Sequence, residues 1–202
     1  MVRLRLVGVT ILAVFIVACD GGSGGAAPAA TVACGPYPEQ STSPYVLPYE
    51  VGSSYLVGQG NCTNRSHSTG TPDQYGYDFL MPTGTILIAS RGGTVTRVVD
   101  HFMDDTGVPG EENVVGITHD DGSTALYFHL AENGAMVLMQ QIISMGDVIA
   151  LSGNSGNSTE PHLHFLVSGP PGTGGVGTLP ITFSNTAPHP NGLIEGRFYE
   201  AF

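Results

Sequence analysis

Between residues 75 and 168 apolar and polar positions alternate in short runs separated by turns rich in Gly, Asp and Asn. Alternation with period two marks a strand with one buried face. It predicts strands over Tyr75–Leu80, Thr85–Ala89, Gly93–Val99, Val114–His119, Thr124–Leu130, Gln140–Met145 and Gly146–Leu151. Asp120-Asp121-Gly122-Ser123 is a hairpin turn signal between two of them. Pro161–Phe165 predicts one more strand, with His162 and His164 on one face and Leu163 and Phe165 on the other. The two imidazoles would stand roughly 6–7 Å apart. That spacing suits one ring on a metal and the other within reach of reactive water. Shorter apolar runs at Tyr45–Leu47, Ser54–Val57 and Leu179–Phe183 predict outlying strands. Met103–Asn113 and Gly153–Ser158 read as loops. No segment sustains helical periodicity. The fold class that follows is all-β, a small antiparallel sandwich or barrel-like structure. An apolar share of 41% is enough to fill its single core.

The ends of the chain are organised differently. Arg3 and Arg5 precede a 12-residue apolar run, Leu6–Val17, and small Ala18. This predicts a signal peptide over 1–18, too short to span a bilayer, which needs about 20 residues. Ile16-Val17-Ala18-Cys19 resembles a bacterial lipobox, which implies lipidation at Cys19. Residues 20–33 hold mostly Gly, Ala and Ser and predict a flexible tether behind it. An N-terminal extension over 34–60, a central domain over 61–170 and a C-terminal extension over 171–202 with one strand complete the expected layout. With Cys19 lipidated, Cys34 and Cys62 remain, and an exported chain meets conditions that favour a disulfide between them. Two free thiols are the alternative reading, and no Cys-x-x-Cys spacing suggests a cysteine metal site.

Charge narrows the partners. The chain has no lysine, and without Arg3 and Arg5 four arginines face 17 acidic residues, a formal charge of −13. Such a surface repels polyanions, which excludes nucleic acid as the main partner. It also leaves lipid, not a basic patch, as the means of holding a membrane. The absence of lysine further excludes a biotinyl or lipoyl carrier, which needs a modified lysine.

Asp78 sits between two aromatics in a predicted strand, where a lone carboxylate is costly unless paired or bound to metal. His129 ends the run Tyr127-Phe128-His129-Leu130, and His67 lies in the polar loop before Asp78. With the His-x-His strand these supply imidazole and carboxylate, the donors of an open zinc site. His119 reads as structural, and His101 and His189 carry no assignment.

From Gln59 to Ser168 these motifs come in the order and spacing of the lysostaphin-like (LytM-type) zinc endopeptidases, which the chain resembles. The markers are Ser66-His67, Gly76-Tyr77-Asp78-Phe79, Pro82-Thr83-Gly84-Thr85, Gly92-Gly93-Thr94-Val95, Tyr127–Leu130, Gly146–Ala150 and Ser152–Phe165. The resemblance implies the duplicated hybrid motif fold and Zn²⁺ held by His67, Asp78 and His164. It implies His162 as general base and His129 as donor to the oxyanion or the leaving amine. Many members place the first histidine four residues before the aspartate; here that position is Gln74, and His67 stands 11 residues before Asp78. A related group with a Ser-His loop has a similar insert, and zinc prefers imidazole to a neutral amide. The expected activity is hydrolysis of peptide bonds in peptidoglycan, in the cell envelope, on a lipid anchor. The alternative is a non-catalytic regulator of the same fold, acting on another wall hydrolase or a division partner.

Overall fold

The structure, a computed structural model, describes residues 34–172 and 177–202. The expected signal peptide, Cys19 and the tether lie outside the described residues. Eleven strands follow in chain order. They are β1 (Ser54–Gln59), β2 (Tyr77–Leu80), β3 (Ile86–Ile88), β4 (Gly93–Val99), β5 (Val114–Thr118) and β6 (Thr124–Phe128). Then come β7 (Leu130–Ala135), β8 (Ile142–Ile143), β9 (Val148–Ser152), β10 (His162–Ser168) and β11 (Phe198–Glu200).

Eight strands form one open sheet in the order β11-β1-β2-β10-β6-β5-β4-β8, and β3-β9-β7 form a second. Every strand pair is antiparallel. The fold is therefore all-β and antiparallel, as the alternation predicts, without closure into a barrel. Both sheets feed one apolar cluster: Val57, Tyr77, Phe79, Tyr127, Leu163 and Phe165 from the large sheet, Leu87, Leu130 and Ile149 from the small one.

The three central strands place the site. In β2, Tyr77 and Phe79 are buried, while Asp78 points to the opposite face. In β10, Leu163 and Phe165 share the core with them. The register pairs His164 with Asp78 on one side and with Phe128 on the other. Period-two alternation thus sends the aromatic payload inward and the histidines and the carboxylate outward, on adjacent strands.

Four details differ from the sequence expectation. The run Thr124–Leu130 is not one strand. It breaks at His129, whose φ of 60° turns the chain out of the large sheet into β7 of the small one. A non-glycine residue in this region is uncommon and persists where its surroundings over-determine it. Tyr45–Leu47 forms no ladder; Val46 N–H donates singly to the Ser90 carbonyl at 2.9 Å. Leu179–Phe183 is likewise not a strand, although Leu179 N–H reaches the Val167 carbonyl at 2.8 Å. The strand of the C-terminal extension is β11, an edge strand on β1. A disulfide joins Cys34 to Cys62, with Cα atoms 5.7 Å apart, and ties the start of the described chain to the loop after β1.

Candidate active site

The β1–β2 loop brings His67 back over β2. Thr71 N–H donates to the Ser68 carbonyl at 3.0 Å, Gly76 N–H to Asp73 at 2.8 Å, and Cys62 N–H to Gln74 at 2.8 Å. These turns spend the 11-residue separation, and His67 ends fully buried beside Asp78. Its Nδ1–H faces the Gly60 carbonyl at 3.2 Å, which directs Nε2 toward Asp78 and His164. Nε2 stands 3.2 Å from His164 Nδ1 and 3.4 Å from Asp78 Oδ1. His164 Nδ1 lies 2.7 Å from the same oxygen. Gln74 does not join them: its side-chain oxygen accepts from Gly70 N–H at 2.7 Å within the loop. Among the described residues, His67, Asp78 and His164 form a cluster whose donor atoms lie within 4.8 Å of one another.

The geometry fits a tetrahedral ion. Donors about 2.0–2.1 Å from such an ion stand about 3.3 Å apart. The two His67 separations match, and the 2.7 Å contact is a hydrogen bond that a cation would replace. Space is reserved as well. A Cβ added at Gly76 would come 2.9 Å from His164 Cε1 and 3.2 Å from His67 Nε2, so glycine there leaves the rings room to converge. Charge points the same way. Burial opposes ionisation of Asp78, yet hydrogen bonds from His164 and His67 outweigh it and hold the carboxyl well below its usual range. Burial pulls His164 down, but the hydrogen bonds and charges of Asp73 and Asp78 lift it to about 9. The cluster stabilises positive charge at its centre.

His162 and His129 stand beside this cluster and outside it. His162 Nδ1–H donates to the Glu160 carbonyl at 2.8 Å, so Nε2 faces the cleft, 3.8 Å from Asp78 Oδ1. His129 Nδ1–H donates to the Ser155 carbonyl at 2.7 Å. Their ring centroids are 4.6 Å apart. Burial, reinforced by His162 nearby, pushes His129 down to about 4, so it is neutral near pH 7. Four of the five residues expected from sequence, Asp78, His129, His162 and His164, line one cleft, and the fifth, His67, is buried beside Asp78 without lining it. The cleft measures about 320 Å³, and Ser66, Asp73, Glu112, Phe128, Asn157 and Thr159 help to line it.

Two contributions were not visible in the sequence. Asp73, read there only as part of a turn, has its carboxylate 3.8 Å from His164 Nε2. Metal-bound histidines commonly have such a partner on the far nitrogen. Ser155, read as loop, carries the carbonyl that fixes His129. Of the other histidines, two are held in the structure by hydrogen bonds, and His101 is exposed. His119 donates from Nδ1 to the Gly92 carbonyl at 2.8 Å, and His189 Nε2 accepts from Phe183 N–H at 2.9 Å.

The comparisons with known proteins agree on a family. The profile of peptidase family M23 matches residues 72–172, half of the chain. The matched segment holds Asp78, His129, His162 and His164, and His67 lies five residues before it. Peptidoglycan DD-endopeptidase ShyA of Vibrio cholerae is 31% identical over 140 residues, 67% of this chain and 30% of that protein. Lysostaphin of Staphylococcus staphylolyticus is 34% identical over 92 residues, 45% of this chain and 18% of that protein. The chain thus spans less than a third of the length of these curated relatives. Among solved structures, the catalytic domain of the prophage-encoded M23 protein EnpA from Enterococcus faecalis is 25% identical with a TM-score of 0.48, covering 63% of this chain and 92% of that one. The profile match over half its length shows that the chain belongs to peptidase family M23.

Proposed function

We propose that this chain is a cell-envelope zinc metalloendopeptidase that hydrolyses peptide bonds of peptidoglycan. The observation that carries the reading is the convergence of His67 Nε2, Asp78 Oδ1 and His164 Nδ1, each within 3.4 Å of the next, beside two further imidazoles that open on the same cleft. These three residues would hold the zinc. The ion, when bound, supplies Lewis-acid activation of water and of the scissile carbonyl.

The chain's own groups do the proton work. His162 is fixed by the Glu160 carbonyl as the Nδ1–H tautomer, so Nε2 is its basic atom in the cleft. It takes a proton from the attacking water as general base. His129 rests neutral, with Nε2 as an acceptor. Negative charge developing on the substrate oxygen favours transfer to His129 of the proton that His162 took from the water, the two ring centroids being 4.6 Å apart, and this returns His162 to its neutral form. As imidazolium His129 donates to that oxygen and then passes the proton to the leaving amine. Phe128, paired with His164 across β6 and β10, adds an apolar wall.

The complete donor set, with His67 present, favours hydrolysis over the non-catalytic regulator. Incubating zinc-loaded protein with purified peptidoglycan tests this directly. New primary amines and soluble fragments, absent after chelation and restored by zinc, are the expected result. Intact peptidoglycan under saturating zinc would leave the regulator as the reading.

A further inference from the structure

The loop from Gly153 to Pro161 forms one wall of the cleft, and both cleft histidines lean on it. His129 uses the Ser155 carbonyl. His162 Nδ1–H faces two acceptors, the Glu160 carbonyl at 2.8 Å and Ser158 Oγ at 3.2 Å. Ser158 Oγ–H in turn faces two acceptors, Asn154 Oδ1 at 2.6 Å, the shorter contact, and the Glu160 carbonyl at 2.9 Å. Asn154 Nδ2–H donates to Asp105 Oδ1 at 2.6 Å. Through Ser158 and Asn154 the donors run from the imidazole to a carboxylate on the acidic 103–113 loop, with the Glu160 carbonyl as a second acceptor for the first two.

Asn154 is the hub of this chain. It is 5% exposed, and each of its four polar groups has a partner. Besides the two side-chain bonds, its N–H donates to Asp104 Oδ1 at 2.6 Å, and its carbonyl accepts from Asp105 N–H at 3.0 Å. Only an amide side chain offers an acceptor to Ser158 and a donor to Asp105 at once. A carboxylate at 154 would face the Asp105 carboxylate without a proton between them. Asp105 itself sits at φ 62°, a conformation that these bonds hold in place.

We propose that Asn154 and Ser158 are positioning residues for His162. They link it to Asp105 and, together with the Glu160 carbonyl, hold the ring as the Nδ1–H tautomer with Nε2 in the cleft. The proposal rests on the reading of His162 as general base, and adds what orients that base. Orienting a base through a third group is a general device of activated sites. Neither residue touches the His67, Asp78 and His164 donors, so zinc binding is not part of this effect.

The test uses the full chain carrying Ser158→Ala, Ser158→Thr, Asn154→Ala and His162→Ala. Two readouts are needed: kinetics on solubilised peptidoglycan, and the ¹⁵N shifts of the His162 ring in metal-free protein. Ser158→Ala and Asn154→Ala are expected to lower kcat about 10–100-fold with KM nearly unchanged, the scale of a small misplacement of a reacting group. Zinc content should stay at the wild-type level. The His162 shifts should move from one tautomer to a mixture. Ser158→Thr, which keeps the hydroxyl, should recover both. If His162→Ala is inactive while Ser158→Ala and Asn154→Ala keep kcat and a pure tautomer, the proposal is overturned and the base reading stands. If His162→Ala keeps full turnover, the base reading fails. The ring shifts then decide the link by themselves: an unchanged tautomer in both variants overturns it. Should Asn154→Ala fail to fold, Ser158→Ala carries the test alone.

Discussion

Replacing His164 with alanine is expected to empty the metal site, whereas replacing His162 should leave zinc in place and stop turnover. The two residues share one strand and one face, so sequence proximity does not separate them. Their ring nitrogens do. His164 Nδ1 lies 2.7 Å from Asp78 Oδ1 and 3.2 Å from His67 Nε2, inside the donor triangle. His162 spends Nδ1 on the Glu160 carbonyl and approaches Asp78 only to 3.8 Å, too far to complete the set. A catalytic zinc site needs three protein donors and an open position. Without His164 two remain, and zinc should fall from about one per chain to near zero after dialysis. Without His162 the donors are intact and the lost step is proton removal, worth about 10²–10⁴-fold in rate. At 1.36 kcal/mol per tenfold, that is about 3–5 kcal/mol of barrier. Zinc content and hydrolysis rate of both variants check the assignment. Equal zinc loss in both would show that the histidines do not divide the work.

Removing the disulfide with the double substitution Cys34→Ser and Cys62→Ser should cost about 3–4 kcal/mol of stability. The bond closes a sequence separation of 28 residues, and the chain-entropy model gives that scale for such a loop. For a chain of this size the loss corresponds to a fall in Tm of about 10 °C. The effect should also reach the metal site. Cys62 sits at φ 55° at the base of the loop that carries His67, and its N–H donates to Gln74 at 2.8 Å. Untying it frees the segment that must fold back to bring His67 against Asp78. Thermal melts of the oxidised wild type and the double variant, with zinc and with chelator, measure both consequences. An unchanged Tm in chelator would mean that the crosslink does not constrain the unfolded chain as described.

What could be read from the residues follows from what is local. The alternation in Tyr77–Leu80 and His162–Phe165 is a local pattern, and it correctly sent the aromatics inward and Asp78, His162 and His164 outward. The turn at Asp120–Ser123 is local chemistry too, and β5 and β6 pair across it. Three-dimensional pairing is a different matter. Leu179–Phe183 is the more apolar of the two C-terminal runs, yet it is Phe198–Glu200 that finds an open edge beside β1. The break at His129 depends on the Ser155 carbonyl 26 residues away and on the second sheet, neither of which a window on the run Tyr127–Leu130 contains. His67 came from the resemblance to a family subgroup, because a spacing of 11 residues has no meaning until the loop turns are known. Asp73, Asn154 and Ser158 have ordinary loop identities, and only their side-chain directions reveal what they hold.

The most direct measurement of the central claim is anomalous diffraction at the zinc absorption edge from crystals of zinc-loaded protein. The account predicts one strong peak per chain, about 2.0–2.2 Å from His67 Nε2, Asp78 Oδ1 and His164 Nδ1, with His162 and His129 outside bonding distance. A peak elsewhere, or one bound by Asp78 and His164 while His67 points to solvent, would contradict it.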